Sequence, residues 1–252
     1  MKQLTGSRAA VMDNKPTRIL PAMTPALLLL TASLCLYSCT GSTNQKQPQT
    51  ALPNQAYEEL KKEIAQHRKV FSDQYVNAVD KNKVLAEIKN YWISVLGNDL
   101  YEQWKGTPWD FNGTTKMPRQ GNIACGYFVT GLLQDMGYVL DRVKLSTCAS
   151  LTMMKSLAPE QPVWNLSYLT YAEFNKKIKE AGKGIYIAGL DFHTGFIVND
   201  GTETWFLHSN YIGRQGVIKE KITSSAALQA SKTRFVIALT EDEAFLVRWM
   251  KS

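Results

Sequence analysis

Histidine and cysteine are scarce in this chain, and their scarcity narrows the chemistry. Of 252 residues three are histidine, at 67, 193 and 208, and four are cysteine, at 35, 39, 125 and 148. There is no C-x-x-C pair and no H-E-x-x-H run, so the close-spaced ligand pairs of common zinc sites are missing. The one long apolar stretch, residues 19–38, is broken by Pro21 and Pro25, which argues against a permanent membrane span. No arginine-rich stripe is present, so nucleic acid is a poor fit as a partner, and no internal repeat suggests a solenoid.

What is present is the composition of a globular domain, 44% hydrophobic and 20% charged. The net charge of +7 includes Lys2, Arg8, Lys15 and Arg18 against Asp13, all before residue 39, so the remainder carries +4. That mild excess suits an anionic polymer such as a cell wall, and equally suits an ordinary solvated surface.

The first 39 residues read as a targeting segment: a basic stretch, an apolar run, then Leu36-Tyr37-Ser38-Cys39. This ending resembles the bacterial lipobox, in which the cysteine is lipidated and becomes the new N-terminus, so Cys39 is expected to anchor the protein. A plain secretory signal is the alternative. Residues 40–54 are polar except for Leu52 and read as a flexible linker. With Cys35 removed and Cys39 committed to the anchor, Cys125 and Cys148 remain, read as two free thiols rather than a disulfide. Cys148 is the small buried one.

Helical spacing follows from Gln55, with Leu60, Ile64 and His67 on one face and Phe71, Tyr75 and Val79 at steps of four. Val84, Ile88, Tyr91, Trp92 and Val95 suggest a second helix. Residues 55–105 thus form a helical region ahead of a domain at 106–252. Residues 106–121, rich in Gly, Pro, Asn and Thr, read as a loop. A helix is expected to begin near Ile123 or Ala124 and to run to Gly137. Short helices are expected at 150–158 and 171–181. Beyond Gly184 the period changes to two, giving strands at 185–190, 193–198, 204–208, 216–222 and 234–239. Asn199-Asp200-Gly201 is a hairpin signal. Thr240-x-x-Glu243 reads as a capping box for a closing helix. Helices followed by an antiparallel sheet make the fold class α+β.

A cysteine at a helix N-terminus, followed by two strand-borne histidines, is what a thiol hydrolase requires. The helix end favours the thiolate, one histidine takes the proton, and a second polar group orients that histidine. A two-residue turn at Asp200-Gly201 would make His193 and His208 cross-strand neighbours, about 5 Å apart at Cβ. His193 is then expected to face Cys125, with a ring nitrogen within about 4 Å of the sulfur. Two packed core histidines, or zinc held by Cys125, His193 and His208, are the competing readings. His67 belongs to a helical face.

Trp109-Asp-Phe111-Asn-Gly113-Thr114, then Cys125-Gly-Tyr-Phe128-Val129 and Gly137-Tyr138, resemble the NlpC family of bacterial cell-wall cysteine peptidases. His193-Thr-Gly195-Phe-Ile-Val198 and Trp205-Phe-Leu-His208-Ser209 resemble that family's two histidine motifs. The resemblance spans about residues 106–210. It implies a papain-like core, Cys125 as nucleophile, His193 as base and His208 as third residue, with no metal or organic cofactor. It also implies peptidoglycan stem peptides as substrate, typically cut between D-glutamate and the diamino acid. Ala124 and Gly126 depart from the family's Asp-Cys-Ser, and Trp109 and Asn112 from its tyrosine and glycine, so the chain resembles a divergent member.

The oxyanion hole is expected from the Cys125 amide with Gln120, Asn122 or Trp109 as second donor. Trp104, Trp109, Phe111 and Tyr127 are candidates for lining the cleft. Membrane contact is expected through the lipid alone, in the bacterial cell envelope, with no protein partner evident. The rival functions are amidase or acyl-transfer chemistry on another substrate with the same residues, and a non-catalytic peptidoglycan-binding lipoprotein. The anchor reading predicts that Cys39→Ala releases the protein from membranes in soluble form, as fractionation of expressing cells would show; unchanged membrane association would sink it.

Overall fold

The structure, a computed structural model, describes residues 53–252; the targeting segment, Cys39 and most of the linker lie outside the described residues. The fold is α+β, built on an open six-stranded antiparallel sheet. None of the described helices is long and apolar enough to cross a membrane.

Two helices lead, α1 (Pro53–Asn77) and α2 (Lys81–Ser94), and α1 begins two residues inside the stretch read as linker. Proline is well placed at a first helical position, where its missing N–H would have had no partner. Val79 is not on α1, as its spacing suggested, but fully exposed in the turn that follows. Asp80 ends that turn and caps α2 by accepting from the Asn82 and Lys83 amides. A π-helical turn (Val95–Leu100) and the short α3 (Tyr101–Trp104) continue α2.

Next come α4 (Cys125–Asp135), α5 (Arg142–Thr147), α6 (Ser150–Leu157), β1 (Trp164–Asn165) and α7 (Tyr171–Glu180). Then follow β2 (Gly184–Gly189), β3 (Thr194–Asn199), β4 (Thr204–Asn210), β5 (Gly216–Lys221), α8 (Ala226–Ala230), β6 (Phe235–Ala238) and α9 (Glu243–Lys251). The spatial strand order is β1-β6-β2-β3-β4-β5. Gly137 takes φ +85°, and the Tyr138 amide reaches back to the Leu133 carbonyl, closing α4 with a left-handed cap.

Each face of the sheet is covered. One core joins Phe196, Val198, Leu207 and Val217 to Ile64, Trp92, Phe128, Leu132 and Trp249, so α1, α2, α4 and α9 share it with the strands. The leading helices are therefore packed into the domain and do not stand away from it. The other core joins Tyr186, Ile197 and Phe206 to Phe174, Ile178 and Leu228 of α7 and α8. Burying each such side chain is worth roughly 1.5–3 kcal/mol, and this drives both layers onto the sheet.

Two local expectations need correction. The first is register: β3 and β4 pair Asn199 with Thr204 and Phe196 with Leu207, so Gly195 stands opposite His208, and His193 is two positions out of step. The cause is the turn. Asp200 accepts from the amides of Thr202 and Glu203 and from Trp205 Nε1, which stabilises a four-residue loop in place of a two-residue one. A two-residue slip leaves both histidines on the same face, because side chains alternate with period two. The second is the capping box at Thr240. Asp242 caps α9 instead, and Thr240 Oγ1 accepts from the Ile185 amide of β2.

Asp135, at the end of α4, ties the leading helices to this layer. It accepts from Tyr57 Oη at 2.6 Å and from Trp104 Nε1 at 3.0 Å. Burial pushes its carboxyl up to about 6, partly offset by those two hydrogen bonds. A carboxyl raised on folding contributes its stability below its unfolded value and loses it as pH rises through the folded value. We therefore expect stability to fall by on the order of 1–3 kcal/mol between about pH 4 and pH 6 from this group. Chemical denaturation across that range should show the fall in the native chain and a flatter profile in Asp135→Asn.

Candidate active site

Cys125 opens α4, and the segment before it is fixed from two sides. Ile123 bridges to Trp109 and to Thr114, and its carbonyl accepts from Ser209 Oγ of β4 at 2.7 Å. Arg142 of α5, beneath Gly131, donates to the Thr114 and Thr115 carbonyls, holding the preceding loop. Gly126 has a steric reason: a Cβ there would lie 2.2 Å from the Ser146 carbonyl oxygen at the end of α5. A serine following the cysteine has no room in this chain.

Backbone amides of Thr194, Gly126 and Cys125 itself favour the ionised form of the sulfur. Thr194 is the residue after His193, so the turn into β3 delivers the imidazole and one of these amides together. The residue is partly exposed, as a nucleophile must be. Burial nevertheless pushes the Cys125 thiol up, and the three amides only partly offset it. The expected preference for thiolate at a helix N-terminus is thus outweighed by desolvation.

His193 and His208 are 5% and 0% exposed. His193 Nε2 lies 2.7 Å from His208 Nδ1, and the rings meet edge to face with centroids 5.0 Å apart. Their diagonal placement is possible because Gly195 stands between them: a Cβ there would sit 2.8 Å from His208 Cβ and 2.7 Å from the Phe206 ring. The Phe206 ring stacks on His208 at 4.2 Å, and Tyr211 flanks His193 at 5.1 Å. Burial, then the neighbouring His208, holds His193 well below its ordinary value. His208 is also lowered by burial, with Glu220 acting in the opposite sense.

His193 Nδ1 is buried and has no hydrogen-bond partner. No hydrogen bond joins it to Cys125, contrary to the approach expected from sequence. A buried imidazole nitrogen without a partner is able to accept a proton.

The remaining candidates divide. Trp109 belongs to the site, its ring 6.3 Å from that of Tyr211. Phe111 is 80% exposed, and Phe192, beside His193, is 96% exposed. Tyr127 lies under the Arg142 guanidinium at 4.9 Å, serving the loop anchor. Trp104 is buried and bonded to Asp135. Gln120 is exposed and donates to Asn54 Oδ1, and Asn122 contributes its backbone carbonyl to the Thr115 amide with its side chain at the surface. Cys125 and Cys148 are both free thiols. His67 stacks on Tyr91 at the surface, 5.1 Å between centroids. No group of three or more metal-binding side chains occurs among the described residues. A hollow of about 540 Å³ lined by Leu151, Lys155, Pro159, Gln161, Val163 and Phe235 contains none of the three chemical residues.

One residue escaped the sequence reading. Glu220 of β5 lies 3.1 Å from His208 Nε2, on the face away from α4. Between two lysines it looks like part of a solvated edge strand. The β4–β5 register, with Phe206 opposite Glu220 and His208 opposite Ile218, is the signal that would have found it. Comparison with family models, curated proteins and solved structures finds no match to this chain.

A thiol raised by burial beside a neutral histidine should alkylate slowly at neutral pH. In a Cys148→Ala background, the rate of Cys125 alkylation by iodoacetamide is expected to climb with pH through the ordinary thiol range and beyond. A plateau reached below pH 7 would instead indicate a resting thiolate–imidazolium pair.

Proposed function

We propose that this protein is a cysteine hydrolase of the NlpC type, with a papain-like core, acting on peptidoglycan stem peptides in the bacterial envelope and held there by lipid on Cys39. The observation that carries the reading is the buried, hydrogen-bonded His193–His208 pair, whose one unpartnered nitrogen, Nδ1 of His193, is left able to take a proton. Most buried side-chain polar atoms have a hydrogen-bond partner, so a bare nitrogen on this pair supports a chemical role over packing alone. The family motifs surrounding Cys125, His193 and His208 supply the substrate class.

In this mechanism Cys125 Sγ attacks the scissile carbonyl carbon as its proton moves to His193 Nδ1. The imidazolium is stabilised through His208. The Cys125 amide and a second donor at the helix mouth receive the oxyanion, and the amides around the sulfur make Thr194 N–H a candidate for that role. Collapse breaks the C–N bond, the leaving amine takes the proton from His193, and a thioester remains. Water, deprotonated by His193, then attacks the thioester, and the carboxylate departs with the thiol restored.

The test is digestion of purified peptidoglycan and of soluble stem peptides, with mass analysis of the fragments. Each cut is expected to add one water and expose one new amine. Cys125→Ala is expected to lower turnover by about 10⁴-fold or more with the fold retained, whereas Cys148→Ala keeps most activity. Near-native turnover in Cys125→Ala would exclude the mechanism, and intact peptides after prolonged digestion would exclude the substrate class.

A further inference from the structure

The polar chain does not end at His208, and its far end decides the state of its near end. Glu220 Oε1 meets His208 Nε2 at 3.1 Å, and His208 Nδ1 meets His193 Nε2 at 2.7 Å. His193 Nδ1 follows, buried and unpartnered. Glu220 of β5, His208 of β4 and His193, just before β3, thus form a hydrogen-bonded series that runs inward from the edge of the sheet and ends at the residue preceding Thr194.

Each link admits one proton arrangement. An ionised carboxylate only accepts, so His208 must carry hydrogen on Nε2. A neutral imidazole protonated at Nε2 presents a bare Nδ1, so His193 must donate from its own Nε2. A neutral His193 protonated there leaves Nδ1 as a lone pair. The titration of each group agrees. Burial pushes Glu220 up, but its hydrogen bonds to His208 and Ser225 outweigh this and hold it below its ordinary value. Burial keeps both histidines neutral.

We propose that Glu220 is a positioning residue: it sets the tautomers of His208 and His193 in sequence, so that the nitrogen of His193 left bare is the one available to Cys125. It also places a negative charge at the end of the chain, where it stabilises the positive charge that reaches His193 when the thiol is deprotonated. The proposal rests on Cys125 and His193 acting as nucleophile and base, while its structural part stands without any turnover.

The experiment exploits the shortage of histidine. With three imidazoles in the whole chain, and one of them removable by His67→Gln, long-range ¹⁵N–¹H spectra of the full-length protein resolve each ring nitrogen. In a Cys125→Ala background, both remaining rings are expected to be Nε2-protonated. Glu220→Ala should convert a substantial fraction of both to the Nδ1-protonated form. Glu220→Gln, whose amide oxygen still accepts from His208, should keep the wild-type pattern. In the active protein, Glu220→Ala is expected to lower kcat by about 10²-fold with KM little changed, and Glu220→Gln to recover part of it. Tautomers unaltered in Glu220→Ala would overturn the proposal. Absence of hydrolysis on every peptide would count against the proposed substrate and leave the nitrogen spectra to decide the role of Glu220.

Discussion

Helix α4 is buried almost throughout, with Gly126 and every residue from Phe128 to Leu133 inside the protein, so it can persist only where other elements enclose it. It lies across β3 and β4, with Phe128, Val129 and Leu132 in the same core as Phe196, Val198 and Leu207. That contact determines where the helix begins, and the beginning is Cys125. The Thr194 amide, the Ser146 carbonyl beside Gly126 and the Ser209 bond to Ile123 all depend on this docking being tight. The leading helices extend the same constraint. Through Tyr57 and Trp104 they hold Asp135 at the other end of α4, so the cysteine is indexed from both ends of its helix.

The opposite face of the sheet carries the other half of the site. His193, His208, Phe206 and Glu220 meet there through hydrogen bonds and ring contacts. Glycines make these approaches possible at two points: no side chain at 126 obstructs the close of α5, and none at 195 separates the histidines. The site is therefore built from absent side chains as much as from present ones. Trp109 packs on Tyr211, which flanks His193, while Phe111 and Phe192 are exposed.

The electrostatic character follows from the same enclosure. Groups drawn out of water prefer their neutral forms, so the thiol is raised and both imidazoles are lowered. Charge appears in the chain only at Glu220, where partial exposure and two hydrogen bonds support it. A resting site that is neutral near the sulfur and negative at its far end fits a reaction in which the proton moves during attack.

Much of this was legible in the residues. One-sided helical spacing located α1 and α2, and apolar segments bounded by glycine and turn residues located α4 and the five longer strands, of which β2, β3 and β4 are buried on both faces. Cys125, His193 and His208 stood out because so few residues of their kind compete with them. The details that escaped were decided at a distance. The register of β3 on β4 depended on how Asp200 ties its loop, which a Gly-centred turn signal does not reveal. Trp104 and Tyr127, aromatic and near the site in sequence, were claimed by Asp135 and Arg142. The state of the thiol reversed its expected direction, since a helix end acts locally and desolvation depends on everything packed around it. Glu220 belongs to the site solely because β5 pairs beside β4. Local patterning of the chain thus determined which elements form and which residues can do chemistry. Only the tertiary structure decided which of those residues meet and in what protonation state, because both depend on neighbours remote in sequence.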